Sequence, residues 1–78
     1  MNTDYLEIIK NLISEKEGLE REEITLESFF EGDLNIGELG LVEILTELEE
    51  QFHVELIKDK GELDTVQDVI EALSEQVE

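Results

Sequence analysis

Glu38 stands at the start of a strongly apolar run, within Asp33-Leu34-Asn35-Ile36-Gly37-Glu38-Leu39-Gly40-Leu41-Val42-Glu43. A carboxylate in the first turn of a helix is stabilised by the exposed amides and the macrodipole, so helix capping is its simplest role. General acid or base catalysis is the weaker reading, because it needs a second catalytic group within reach and the neighbouring sequence offers none. Asp33, Asn35 and Gly37 mimic the first positions of a calcium loop. The glycine such a loop requires next is Glu38, and its closing bidentate glutamate is Ile44, so the calcium reading fails. His53 is the sole histidine and there is no cysteine. One histidine alone makes a poor metal site, and no metal is expected. At a helix exit, His53 favours the C-terminal dipole when protonated.

The chain that must position these groups has 78 residues, enough for one domain over 1–78. A chain this short buries only about 60% of its unfolded surface, so modest stability is expected. No cysteine means no disulfide framework, and no proline interrupts the chain, which favours long helices. The apolar fraction of 40% suffices for a small core and is too high for plain disorder. Twenty-three acidic residues face five basic ones, for a formal charge of -18. Such a surface repels nucleic acid and anionic membranes and attracts basic patches on other proteins. The N-terminal residues lack the basic and apolar regions of a signal peptide, and no run approaches a membrane span. A cytoplasmic monomer is the expectation.

Helical spacing of Leu6, Ile9, Leu12 and Ile13 predicts a first helix over residues 3–17. Thr3 or Asp4 caps it, with Glu7 three residues after Asp4. Gly18 suits the left-handed stop, and Leu19 folds back over the last turn. Residues 19–35 form a long connection, unusual in so small a domain unless it packs on something. Ile24, Leu26, Phe29, Phe30 and Leu34 are its expected anchors, with one helical turn near residues 21–24 and a bend at Gly32. A second helix over residues 36–52 carries an apolar stripe of Leu41, Val42, Leu45, Leu48 and Phe52. Glu43, Glu47 and Glu50 form an acidic stripe on another face. Asn35 is its expected cap, with Glu38 completing a capping box. In the link over residues 53–61, Leu56 and Ile57 dock on the core, with a brief helical turn near 58–62. A last helix over residues 65–75 opens on a capping box of Thr65 and Asp68 and buries Val66, Val69, Ile70, Leu73 and Val77. The fold class is all-α: a small bundle of three main helices plus one short helix, with a long ordered loop between helices 1 and 2.

Nearly the whole chain resembles the acyl carrier proteins. Gly18-Leu19 with Glu22-Glu23-Ile24 is similar to that family's exit from helix 1. Ser28-Phe29-Phe30-Glu31 and Asp33-Leu34 resemble the run before its attachment site, with one extra residue around Gly32. Leu39, Val42-Glu43, Leu48-Glu49-Glu50 and Phe52 match its second helix. Thr65-Val66-Gln67 and Ile70 match its last. The resemblance implies the acyl-carrier bundle and, for the family, a phosphopantetheine arm on the serine of an Asp-Ser-Leu triplet. Here that triplet reads Gly37-Glu38-Leu39, so Glu38 takes the place of the serine and Gly37 and Gly40 that of two flanking acidic residues. No serine lies between Ser28 and Ser74, so a shift of register does not restore one. No covalent cofactor is therefore expected.

Three functions follow from this reading. The first is an acidic, non-enzymatic module that binds, without covalent chemistry, a basic surface on an enzyme of acyl, fatty-acid or polyketide-type metabolism. Glu43, Glu47, Glu50 and Leu39 would carry the contact, and Glu38 would stand near where the arm's phosphate stands in a carrier. The second is a genuine acyl or aminoacyl carrier in fatty acid, polyketide or nonribosomal-type biosynthesis, modified or loaded by another route. The third is an acidic mimic of nucleic acid in a basic cleft, which charge permits and the carrier-like pattern does not support. Without an acyl thioester, the apolar stripe of the second helix reads as filled core and not as an acyl tunnel.

Overall fold

In the computed structural model, which describes residues 4–77, the first helix α1 spans Tyr5–Glu17. Asp4 caps it, its Oδ1 accepting from the Glu7 amide at 3.2 Å. Thr3, the other expected cap, lies outside the described residues. Tyr5, Ile9 and Ile13 recur every fourth position and are buried. Gly18 ends the helix at φ 72°, a left-handed conformation that a side chain disfavours, and its amide donates to the Ser14 carbonyl.

The connection over residues 18–37 opens with a single 3-10 turn, Arg21–Glu23. The Arg21 guanidinium bonds Glu7 and Asn11 on α1 and so ties the turn down. Ile24, Phe30 and Leu34 are buried as expected, and Ile36 joins them. Leu26 and Phe29 depart from expectation: they are 38% and 52% exposed. The reason at Phe29 is local. The chain pairs at Phe29 in an isolated antiparallel bridge to Thr65, and in such pairing successive side chains alternate their faces. Ser28 and Phe30 therefore point inward and Phe29 points out. The same segment supplies acceptors to the last helix. Its Ser28 and Leu26 carbonyls take the amides of Val66 and Gln67, two donors with no partner inside their own helix.

The second helix, α2, spans Glu38–Phe52 and so begins two residues later than its spacing predicts. Asn35 is not the cap. It adopts a left-handed conformation, φ 57°, which turns the chain so that Ile36 enters the core. Gly37 occupies the cap position without a side-chain bond. Ile44, Leu45 and Leu48 are the buried centre of α2, flanked by half-buried Leu41, Val42 and Phe52. Ile44, absent from the expected stripe, thus belongs at its middle. His53 ends the helix in a left-handed conformation, and its amide donates to the Glu49 carbonyl at 2.8 Å.

A short 3-10 helix, Ile57–Glu62, follows the fully buried Leu56. The Glu49 carboxylate receives the amides of Leu56 and Ile57 at 2.6 and 2.8 Å, which fixes this link to α2. The last helix, α3, spans Val66–Val77. Its capping box forms as expected, Asp68 N to Thr65 Oγ1 at 3.2 Å and Thr65 N to Asp68 Oδ2 at 3.1 Å. Val66, Val69 and Leu73 are buried, whereas Val77 is 42% exposed in the last turn, beyond the reach of the core. Three main helices, the short 3-10 helix and the long loop enclose one core of side chains from every element. No helix among the described residues is long and apolar enough to cross a membrane.

Candidate functional site

Three pieces of chain meet at the N-terminus of α2: the turn over residues 29–37, the first turn of the helix, and the 3-10 helix Ile57–Glu62. The turn is closed from both ends. The Asp33 carboxylate accepts from the Phe29 amide at 2.8 Å, and the amides of Asp33 and Leu34 return to the Phe29 carbonyl. Asp33 is thus committed to loop closure. Among the described residues no cluster of acidic and histidine side chains could hold a metal ion.

Glu38 is the first residue of α2 and its side chain is largely exposed. Lys60 donates to its Oε2 across a gap of 2.6 Å. That hydrogen bond, and next the lysine's charge, hold the Glu38 carboxyl below the ordinary carboxylate range. A carboxylate with lowered basicity, open to water and already bonded to an ammonium, is a poor general base. Lys60 escaped the sequence reading because it lies 22 residues away in the chain. Its one available signal was rarity, as one of five cations among twenty-three acids.

The two glycines beside Glu38 differ. Gly37 is open, with nothing near a Cβ built there. Gly40 is a close approach: a Cβ would lie 2.7 Å from Glu17 Oε2 and 2.9 Å from Ile36 Cγ2. The glutamate tip can swing away, but Ile36 is buried and has nowhere to go. A side chain at position 40 would therefore disturb the turn that places Glu38. Leu39, by contrast, is 82% exposed on the same helical turn.

Along the rest of α2, Glu43 and Glu50 face solvent and Glu47 pairs with Lys16 of α1 at 3.6 Å. Glu49 is taken up by the link, which leaves Glu43 and Glu50 as the carboxylates exposed along this part of α2. His53 sits at the opposite end of α2, about 22 Å from Glu38 on the helical rise. The two do not form one site.

A family model described as "Phosphopantetheine attachment site" matches residues 7–73. The acyl carrier protein of Thermosynechococcus vestitus is 34% identical over 76 residues, covering 96% of this chain and 94% of that protein. The chain belongs to the acyl carrier protein family. The acyl carrier protein of Exiguobacterium sibiricum is 37% identical over 70 residues, covering 88% of this chain and 89% of the relative. That of Clostridium perfringens is 37% identical over 71 residues, covering 90% and 93%. A phosphopantetheine arm needs a side-chain hydroxyl to esterify. Residues 31–45 hold none. The nearest hydroxyl before them, Ser28, is 5% exposed and engaged with the amide and hydroxyl of Thr25. Thr46 lies half-buried within α2. No side-chain hydroxyl therefore stands in the first turns of α2.

Proposed function

We propose that this chain keeps the acyl-carrier fold as a non-covalent interaction module, with Glu38 at the position of the family's attachment serine. It binds a basic surface on an enzyme of acyl, fatty-acid or polyketide-type metabolism and carries no arm of its own. One observation supports this above the rest: the first turn of α2 presents an ion-paired carboxylate and no hydroxyl. Glu43, Glu47 and Glu50, with exposed Leu39, supply the acidic face and the apolar contact. The formal charge of -18 favours encounter with a basic partner and makes it salt-dependent.

Intact mass spectrometry after incubation with coenzyme A and a broad-specificity phosphopantetheinyl transferase tests this reading. No mass gain is expected, and a gain matching the arm would overturn it. Glu38→Ser alone should remain unmodified, because Gly37 and Gly40 leave the flanking positions without their acidic groups. The joint change Glu43→Lys and Glu47→Lys should weaken binding to the partner and flatten its salt dependence. A second reading, a genuine carrier loaded by another route, is favoured by the relatives' shared name, acyl carrier protein. The same mass measurement on protein from the native host decides between them.

A further inference from the structure

Beside Glu38 the chain leaves a cleft of about 420 Å³ between the 29–37 turn, α2 and the second 3-10 helix. That volume falls within the range of pockets that take small ligands or partner side chains. Its apolar surface comes from Phe30, Ile36 and Leu63, all buried in the core, and from Phe29, whose ring is half exposed. Its charged surface is three carboxylates, Glu31, Glu38 and Asp64, against the single ammonium of Lys60.

Two features of this cleft point outward. Four large apolar residues are exposed among the described ones, and two of them, Phe29 and Leu39, belong to the cleft wall and to the residue next to Glu38. Water contact at an exposed aromatic ring is relieved when a partner covers it. The second feature is charge. The cleft is net negative and so is the whole chain, which disfavours a second copy, a nucleic acid or an anionic lipid as occupant. A segment with an apolar side chain next to a basic one matches both the ring and the carboxylates.

We propose that this cleft receives a short segment of the partner protein in which an apolar residue adjoins Arg or Lys, the basic group displacing Lys60 from Glu38. This rests on the interaction-module reading and names the partner's chemistry at that site. The exchange is easy, because the Glu38–Lys60 pair lies at the surface, where such pairs contribute little. An arginine also gains geometry, since its guanidinium can bond both carboxylate oxygens where Lys60 reaches one.

A fluorescein-labelled peptide of alternating Leu and Arg, and its counterpart with Ser for every Leu, provide the test at low salt. Binding is read by anisotropy, and the site by amide shifts in heteronuclear NMR spectra, which also report folding. The Leu-Arg peptide should shift the amides of Phe29, Gly32, Gly37 and Gly61. Lys60→Ala should tighten binding about three-fold by freeing Glu38. Lys58→Ala makes the same change in net charge outside the cleft and should leave binding nearly unchanged. Phe29→Ser, at an exposed position, should weaken binding about ten-fold. Equal effects of Lys60→Ala and Lys58→Ala, with Phe29→Ser silent, would overturn the cleft as the docking site. If shifts then lie on Glu43, Glu47 and Glu50, the module reading stands without the cleft. Equal binding of the Ser-Arg peptide, or no binding of either peptide, overturns the proposal as well. An arm found by mass would instead remove the reading beneath it.

Discussion

Glu38 and Lys60 illustrate how one side chain's role depends on a partner far along the chain. The lysine depresses the carboxyl's pKa, so the folded state favours the charged form more than the unfolded chain does. Such a contribution is present above the unfolded carboxylate value and is lost as pH falls through the lower folded one. Glu38→Gln should therefore destabilise the protein at neutral pH, and the difference from the parent should vanish in acid. Urea unfolding across that range measures it. A difference that persists or grows in acid would place the stabilisation elsewhere. The carboxylate also lies in the first turn of α2, where the helix dipole adds to the same sign of effect.

The three helices are held by different means at their ends. Asp4 and Gly18 bracket α1, Gly37 and His53 bracket α2, and α3 begins on the reciprocal bonds of Thr65 and Asp68. The start of α3 carries an extra duty, because its first amides bond to the carbonyls of Ser28 and Leu26. Losing the capping box thus loosens both α3 and the connection that roofs the core. Thr65→Ala should cost about 1 kcal/mol. For a domain of this size that lowers the melting temperature by about 4–8 °C. Faster amide exchange should extend from Val66 and Gln67 to Phe30, whose amide bonds the Asp64 carbonyl. Exchange confined to α3 would show that the connection is anchored by its buried side chains alone.

At the scale of the whole molecule, charge competes with a small core. The Cα extents are 28 × 26 × 19 Å, so carboxylates on opposite faces are largely screened from one another at 0.1 M salt, where the Debye length is about 10 Å, and the repulsion that matters is between neighbours on one face. Their repulsion favours expansion. Raising sodium chloride from low to about 0.5 M should raise the melting temperature by several degrees, roughly 5 °C. Magnesium should act at lower concentration. A flat or falling melting temperature with salt would mean that the ion pairs, such as Lys16–Glu47 and Arg21–Glu7, outweigh the repulsion. The same charge favours encounter with basic surfaces, and the affinity of the proposed basic partner should fall as salt rises.

The sequence by itself determined the three helices, the left-handed stop at Gly18, the capping box at Thr65 and the helical fold class. Each rests on local spacing or local backbone chemistry, which a linear chain displays directly. Apolar alternation within the connection was harder to see, because Phe29 and Phe30 look alike until an extended bridge to Thr65 sends one outward. Asn35 looked like a helix cap, and only the burial of Ile36 required it to turn left-handed instead. The pairing of Glu38 with Lys60, the crowding at Gly40 and the cleft beside them were decided by tertiary structure alone. All three bring together residues remote in the chain, and nothing in the local pattern encodes which distant side chain will arrive.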